Sequence, residues 1–470
     1  MLLRLLILLC LTPVVHAADW KNIIDLAPEG SQVALVVEPL RSSAPLQIHY
    51  RDDRFLPPAS TLKLFTAAAA ELELGTDYRF ATRFWQRGKQ QGGRWQGDWL
   101  LEFRGAPDLS RQQLAELLGE LRTRKIREIE GDLLLDVSYF SGHDRAIGWP
   151  WNNLGVCYSA PAAALTLEGN CVAASLKNQG SGQPARFFVP AHQPIEVTSE
   201  VIALDNDSIE RQLCTLESSV GPGNRYQLSG CISDRRDVLP LNFAINDPIA
   251  HGKALVRHEL SRLGIVLRGD IRVGRRDGDG WQQAAQVVSA PLQTLLAEML
   301  QDSDNLIADL TLKNLGAARD LSGSFAHGVR ALKASLKTHA DIDLELARIH
   351  DGSGLSKDNL IQARQLAQLL QWLAQHPQMT TYQTLPVSGE NGTLKYRRST
   401  RQEPLKGAIQ AKSGTLNGSR NLAGYIDTAS GERYVFVLML SGISLPAKMQ
   451  QPTPVTVFER SLLEWIYHNG

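Results

Sequence analysis

The spacing of apolar positions near the start of the chain predicts a β-hairpin followed by a helix. Apolar runs at 31–40 (SQVALVVEPL) and 46–50 are short and strand-like, and a polar segment joins them. The stretch at 56–75 (LPPASTLKLFTAAAAELELG) opens with two prolines, which helix interiors exclude, and continues as an Ala/Leu-rich pattern. We therefore expect this helix to begin close to Ser60 and to end at Gly75.

The second half of the chain predicts adjacent helices followed by strands. Apolar positions at 292–299 follow helical spacing, the pattern breaks at 302–305, and a second helical pattern begins there. Strand-like runs follow at 408–411, 421–427 and 434–440. The chain then closes with an amphipathic helical segment, VFERSLLEWIY, whose apolar side we expect to pack against the sheet.

A weak internal repeat occupies the middle of the chain. A helical pattern followed by IREIEGDLLLD at 126–136 resembles a second helical pattern followed by VLRGDIRVG at 266–274. Many short strand-like runs and turns lie between the two copies. We infer an inserted α/β domain at 85–164 and 240–288, itself interrupted by a small β domain at 165–239. Strand-like runs at 78–85 and 95–103 precede the first copy.

The first 17 residues have the features of a cleavable secretory signal. Arg4 supplies the positive charge, 5–15 is an apolar run too short to span a membrane, and Val-His-Ala ends at residue 17. No later run has spanning length, so we expect an exported protein without an integral membrane segment. The balance of 49 basic against 49 acidic residues argues against a nucleic-acid surface.

The cysteines predict disulfide bonds. Cys10 belongs to the signal, which leaves an even number in an exported protein: Cys157, Cys171, Cys214 and Cys231. Three pairings can be drawn, and we favour the sequence-local one, which joins the first two and the last two. A metal site is the alternative, which the absence of close Cys-x-x-Cys spacing and of histidine clusters disfavours.

The helix at 56–75 carries a pair of residues suited to nucleophilic catalysis. Ser60 and Lys63 lie just under one turn apart, so their side chains share a face. A neutral Lys63 could accept the proton of Ser60, and the helix N-terminus would stabilise the resulting negative charge. The alternative is an N-cap serine beside a solvated lysine, because short motifs of this kind often occur by chance.

Two later motifs extend this chemistry. Ser303 and Asn305 lie on the predicted helix–helix connection, where they either point into a cleft or cap the second helix. Lys412 and Ser413 close a strand, followed by Gly414, which would let a substrate backbone approach. A solvated edge-strand charge is the alternative for the lysine.

The ordered set Ser-x-x-Lys, Ser-Asp-Asn and Lys-Ser-Gly resembles the signature of the penicillin-recognising serine enzymes. In detail the mature chain resembles the D-alanyl-D-alanine carboxypeptidases/endopeptidases among the low-molecular-mass penicillin-binding proteins, peptidase family S13. Supporting stretches are GWPWNN, CYSAP, HDGSGLS and NLAGY. The resemblance implies an α+β fold, with an antiparallel sheet and helices on both faces. It assigns 18–84 and 289–470 to a transpeptidase-like catalytic domain, which the two inserted domains interrupt.

The resemblance also implies residue roles and partners. Ser60 is the expected nucleophile, Lys63 its base, and Ser303 the proton relay. Expected substrate contacts come from Asn305, Lys412, Ser413, Thr415 and the outer residues Asn153, Tyr158, Lys357 and Asn417. The substrates would be peptidoglycan peptides in the periplasm, with β-lactams as covalent inhibitors and no cofactor or metal.

Three positions depart from the family pattern. Ser413 stands where threonine is commoner, Asn153 where an acid is frequent, and Lys357 where we expect arginine. These departures weaken any expectation about the diaminopimelate side chain. A serine β-lactamase and a catalytically relict peptidoglycan-binding protein are the alternatives. The chain lacks the Glu-x-x-Leu-Asn motif of class A β-lactamases, which favours the peptidase.

Overall fold

The computed structural model describes residues 20–41, 44–319, 322–446 and 449–470. The predicted signal peptide at 1–17 lies outside these residues. The helices are Trp20–Ile24, Lys63–Leu74, Arg111–Thr123, Asn206–Gln212, Pro248–Leu263, Leu292–Gln301, Asn305–Arg319, Phe325–Ala340, Ala363–Ala374, Thr380–Gln383 and Pro454–Asn469. Within the described ranges, no helix is both long and apolar enough to cross a bilayer.

A five-stranded antiparallel sheet forms the centre of the fold. From edge to edge its strands are Ile48–Tyr50, Gln32–Pro39, Arg433–Ser441, Ser419–Asp427 and Ile409–Leu416. The predicted hairpin near the start of the chain is confirmed, and so are the three later strands. A separate two-stranded pair joins Phe55–Leu56 to Ile361–Gln362.

Both faces of this sheet are covered. Along the strand Gln32–Pro39, Val33 and Leu35 pack with the C-terminal helix, whereas Ala34 and Val36 pack with the helices of the opposite face. Successive strand residues point to opposite faces, which explains why the strands are apolar throughout rather than alternating. The predicted α+β architecture is confirmed, as is the packing of the C-terminal helix on the sheet, where Phe458 is fully buried.

The helix that follows Ser60 is buried on every side. Lys63–Leu74 contacts the helices Asn305–Arg319 and Phe325–Ala340, and its first eight residues are all buried. Small alanine side chains suit such a helix, because neighbouring helices approach it closely. The predicted end at Gly75 is confirmed, but a 3₁₀ turn at Ala59–Leu62 precedes the α-helix, so Ser60 lies in that turn.

A seven-stranded sheet contains the two copies of the internal repeat. Its strands are Ala81–Gln91, Arg94–Glu102, Glu128–Ile129, Leu133–Asp136, Val266–Leu267, Ile271–Val273 and Gln282–Val288. The copies pair with each other in parallel, with Val266 opposite Glu128 and Ile271 opposite Leu133. The strand expected at 78–85 begins instead at Ala81, so the expected boundary after residue 84 falls inside a strand of this sheet.

Three small sheets lie between the repeat copies. The first sheet consists of Glu196–Ser199, Arg225–Ser229 and Glu217–Gly221. The second consists of Ile202–Leu204 and Cys231–Ser233, and the third of Val238–Ala244, Cys171–Lys177 and Arg186–Phe188. The expected boundary after residue 239 falls inside the strand Val238–Ala244, which pairs along its whole length with Cys171–Lys177. The favoured disulfide pairing is confirmed: Cys157–Cys171 and Cys214–Cys231.

Candidate active site

Ser60 is held in place by an unusual backbone and by two close glycine contacts. The preceding residue, Ala59, has a left-handed φ of 48°. A Cβ on Gly354 would lie 1.9 Å from the Ala59 carbonyl oxygen, and one on Gly414 would lie 2.7 Å from the Pro58 oxygen. Only glycine permits this approach, so a loop and the edge strand both press against the turn that presents Ser60.

Lys63 points its amine at Ser60 and at two further acceptors. Its Nζ lies 3.0 Å from Ser60 Oγ, 2.7 Å from Asn305 Oδ1 and 2.7 Å from the carbonyl oxygen of Ser353. A neutral amine has two N–H groups and one lone pair. If the two shorter contacts take the N–H groups, the lone pair faces the Ser60 hydroxyl, which is the geometry that a general base requires.

The Ser303–Asn305 segment is a tight connection between two helices, as its sequence predicted. Leu292–Gln301 ends before it, Asn305–Arg319 begins in it, and Ser303 adopts a left-handed φ of 63°. Asn305 accepts from Lys63 and donates through Nδ2 to the Tyr158 carbonyl oxygen at 2.7 Å. Asn305 therefore connects the Lys63 amine to the loop of Tyr158.

The edge strand Ile409–Leu416 supplies the opposite side of the cluster. Lys412 Nζ donates to Ser303 Oγ at 3.0 Å and to the Ser413 carbonyl oxygen at 3.1 Å. Ser413 Oγ donates to Thr393 Oγ1 at 2.8 Å. Five predicted residues thus form two neighbouring hydrogen-bonded sets, Ser60 with Lys63 and Asn305, and Ser303 with Lys412. The two sets are joined by the backbone of the 302–305 connection.

Burial lowers the pKa of both lysines. It lowers the pKa of Lys63 to about 8, against the opposing influence of Asp309 and Asp351. Burial also lowers the pKa of Lys412 far below its ordinary value, and Lys63 and then Arg397 lower it further. Since two cations in one buried cluster disfavour each other, protonation of either lysine opposes protonation of the other.

A cavity of about 590 Å³ opens beside this cluster. Tyr158, Ser303 and Asn305 lie along one wall, and the phenol ring of Tyr158 is about half exposed. Five acidic residues are among the others that line the cavity: Asp108, Glu168, Glu298, Asp302 and Asp304. The cavity therefore extends from residues 107–110 to Ser303 and Asn305, which follow the helix Leu292–Gln301.

The outer residues are less closely connected. Thr415 and Asn417 are exposed near the end of the edge strand, and Lys357 is exposed in a loop. The Asn153 carbonyl oxygen accepts from the Ser159 hydroxyl. Among residues that the structure describes, no hydrogen bond joins the side chains of Asn153, Lys357 or Asn417 to the Ser60 cluster. Their roles stay predictions.

Sequence reasoning missed three contributors. Thr393 lies in a segment without a recognisable motif. Ser353 belongs to the supporting stretch HDGSGLS, but it contacts Lys63 through its carbonyl oxygen, which a pattern of side chains does not predict. Asp309 is a fully buried acid on the helix that starts at Asn305. An acid four residues after Asn305, in an otherwise apolar stretch, was the available signal for it.

A serine and lysine in hydrogen-bond contact, a second serine and lysine beside them, and a helix-covered antiparallel sheet define a penicillin-recognising serine enzyme. The model of the D-Ala-D-Ala carboxypeptidase 3 (S13) family matches residues 18–462, and the chain belongs to this family of peptidases.

Similar proteins agree with this assignment. The chain is 35% identical over 455 residues to D-alanyl-D-alanine carboxypeptidase DacB of Haemophilus influenzae, covering 95% of this chain and 94% of that protein. The crystal structure of penicillin binding protein 4 (dacB) from H. influenzae superposes with a TM-score of 0.89 at 34% identity, covering 96% and 99% of the chains. A structure of that protein complexed with a novel β-lactam gives a TM-score of 0.84 at 32% identity, with the same coverage.

Proposed function

We propose that this protein hydrolyses D-Ala-D-Ala bonds and cross-links of peptidoglycan peptides through an acyl-enzyme on Ser60. The observation that carries the proposal is the arrangement at Lys63. Two short contacts, to Asn305 and to the Ser353 carbonyl, use the N–H groups of a neutral amine and leave its lone pair for Ser60. Burial lowers the pKa of Lys63 to about 8, which increases the fraction of the neutral amine present near neutral pH.

Acylation begins when Ser60 Oγ attacks the carbonyl carbon of the scissile bond while Lys63 Nζ takes its proton. The tetrahedral oxyanion is assigned to the backbone N–H groups of Ser60 and Thr415. Lys412 and Ser413 bind the carboxylate of the leaving residue, and Asn305 binds the substrate amide. The positive field of Lys412 suits an anionic group at this place.

The proton that Lys63 took from Ser60 passes to the leaving amine through Ser303, whose Oγ lies within hydrogen-bond distance of Lys412, and Lys63 becomes neutral again. The C–N bond breaks, an ester to Ser60 remains, and the amine departs. Water then attacks the ester carbonyl, and the proton it loses returns to the Ser60 oxygen through Lys63. A β-lactam follows the same first step, but its leaving amine stays tethered to the acyl group, so we expect a lasting adduct.

We assign the protein to the periplasm. Two disulfides indicate folding in an oxidising compartment. The expected secretory signal and the peptidoglycan substrate are consistent with the same compartment.

Intact-protein mass spectrometry after penicillin treatment tests the proposal. The wild type should gain the mass of one penicillin, and Ser60→Ala should gain none. Retention of a covalent adduct by Ser60→Ala would contradict the nucleophile assignment. Rapid loss of the adduct with release of hydrolysed penicillin would instead indicate a β-lactamase. Incubation with purified muropeptides then separates release of free D-alanine from cleavage of cross-linked dimers.

A further inference from the structure

The Ser353 carbonyl that receives Lys63 belongs to a peptide segment fixed from two sides. Asp309 Oδ1 accepts from the backbone N–H of Gly352 at 2.8 Å and of Ser353 at 2.9 Å. Thr66 Oγ1 donates to the Gly352 carbonyl oxygen at 2.8 Å. A Cβ on Gly352 would lie 2.6 Å from the Ala308 carbonyl oxygen, so this segment lies directly against the helix that carries Asp309.

Asp309 and Asn305 act on the same amine from the same helix. They lie four residues apart on Asn305–Arg319, one turn along one face. Asn305 contacts Lys63 directly, whereas Asp309 contacts it only through the Ser353 peptide. Both acceptors of the Lys63 N–H groups are therefore positioned by this one helix.

We propose that Asp309 is a positioning residue that directs the Lys63 lone pair at Ser60: its Oδ1 accepts the N–H groups of Gly352 and Ser353 and so fixes the segment that carries the Ser353 carbonyl. The inference rests on the proposed function, since it assumes that Lys63 serves as the base. If the Ser353 carbonyl moved, one N–H of Lys63 would lose its acceptor inside a buried site, and the amine would rotate to regain one.

Asp309 acts as a neutral hydrogen-bond acceptor rather than as a charge. Its side chain is fully buried, and its Oδ2 has no hydrogen-bond partner among the described residues. Burial and the neighbouring Asp351 raise the pKa of Asp309 well above its ordinary value, and Lys63 opposes this rise. A buried carboxylate with an unpaired oxygen is costly, which favours the protonated form.

Other charged groups surround the pair. Asp351, Asp304 and Asp309 face Lys63 and Lys412 adds a cation, while Lys313 faces Asp309 from one turn further along the helix. Asp351 is itself held by four donors, namely Gly354 N, Ser356 N, Asn359 Nδ2 and Trp149 Nε1. Because all of these groups except Asp309 itself stay in every variant below, a change in pH profile reports on the residue that was altered.

The test is the pH dependence of the rate constant for β-lactam acylation, followed by intact mass. Asp309→Asn keeps the Oδ1 acceptor, and we expect a rate and profile close to wild type. Asp309→Ala should lower the plateau rate roughly tenfold to a hundredfold. It should also move the acid limb to lower pH, because the ammonium form of Lys63 loses an acceptor. Thr66→Val should lower the plateau rate and shift the acid limb in the same direction, each by a smaller amount. This variant provides the test if Asp309→Ala does not fold.

Asp98→Ala is the matched control. Asp98 accepts the backbone N–H of Asp132 at 2.9 Å in the seven-stranded sheet, so its loss should lower stability without altering the profile. Wild-type behaviour of Asp309→Ala would overturn the inference. An Asp309→Asn variant as impaired as Asp309→Ala would also overturn it, because charge would then be the active property. Failure of the wild type to acylate would reject the proposed function instead.

Discussion

Lys412 and Ser303 meet across the cleft, with Nζ of the lysine 3.0 Å from Oγ of the serine, although 109 residues separate them. The lysine comes from an edge strand and the serine from a helix–helix connection, and both side chains are placed by the packing of helices on one sheet. This contact joins the anion-binding side of the site to the proton relay. It also places a lysine amine in a fully buried position.

Replacement of Lys412 should separate activity from stability. Lys412→Met keeps the length of the side chain but removes the charge, so we expect acylation by a β-lactam to slow by roughly a hundredfold or more. The unfolding temperature should not fall, because removing a buried charge with a lowered pKa offsets the loss of two hydrogen bonds. Lys406→Met, an exposed substitution, should change neither quantity, and a large loss of stability in Lys412→Met would contradict the prediction.

The acylation rate should rise with pH up to about 8. Burial lowers the pKa of Lys63 to about 8, and only the neutral amine accepts the Ser60 proton. Below that pH the second-order rate constant should fall about tenfold per unit, as the neutral fraction does. Lys63→Arg, which stays protonated, should be slow at every pH. A rate constant that is independent of pH between about 6 and 9 would show that another group is the base.

The sequence was sufficient to predict the five central residues but not the groups that orient them. Ser60 and Lys63 follow helical spacing, so their shared face could be inferred, whereas Ser303 and Asn305 were found by their motif on a predicted connection between helices. The Ser353 carbonyl and the Thr393 hydroxyl depend on loop paths, which spacing does not determine.

The expected domain boundaries stay predictions, and two of them fall inside strands. Ala81–Gln91 pairs with Gln282–Val288, and Val238–Ala244 pairs with Cys171–Lys177. Those partners lie far away in the sequence, so local alternation of apolar positions could not locate the limits. Disulfide pairing was easier, because the favoured cysteines are close in sequence.

The two disulfides should differ in their effect on activity. Sequence separations of 14 and 17 residues imply that each contributes about 3 kcal/mol to stability. Cys157 precedes Tyr158, whose carbonyl oxygen accepts from Asn305, so Cys157→Ser/Cys171→Ser should also slow acylation. Cys214→Ser/Cys231→Ser should lower stability alone. Urea unfolding and β-lactam acylation of both double variants provide the measurement, and equal acylation rates would contradict the proposed coupling.

Stability at low pH should depend on Glu459. Burial alone would raise the pKa of this carboxyl, but Arg397, Arg420 and Ser399 lower it to about 2. The contribution of Glu459 to stability is therefore complete above the ordinary pKa near 4.5 and is lost as the pH falls toward 2, because the unfolded chain then binds the proton more tightly.

Glu459→Gln leaves Arg397 buried without its charged partner and should lower the free energy of unfolding by roughly 3 to 5 kcal/mol at neutral pH. The difference from wild type in the free energy of unfolding, measured with urea, should narrow between about pH 4 and pH 3. The control is Glu464→Gln, on the same helix but half-buried at the surface, which should lower the free energy of unfolding by at most about 1 kcal/mol. A difference that stayed constant down to pH 3 would exclude ionised Glu459 as the source of the stability.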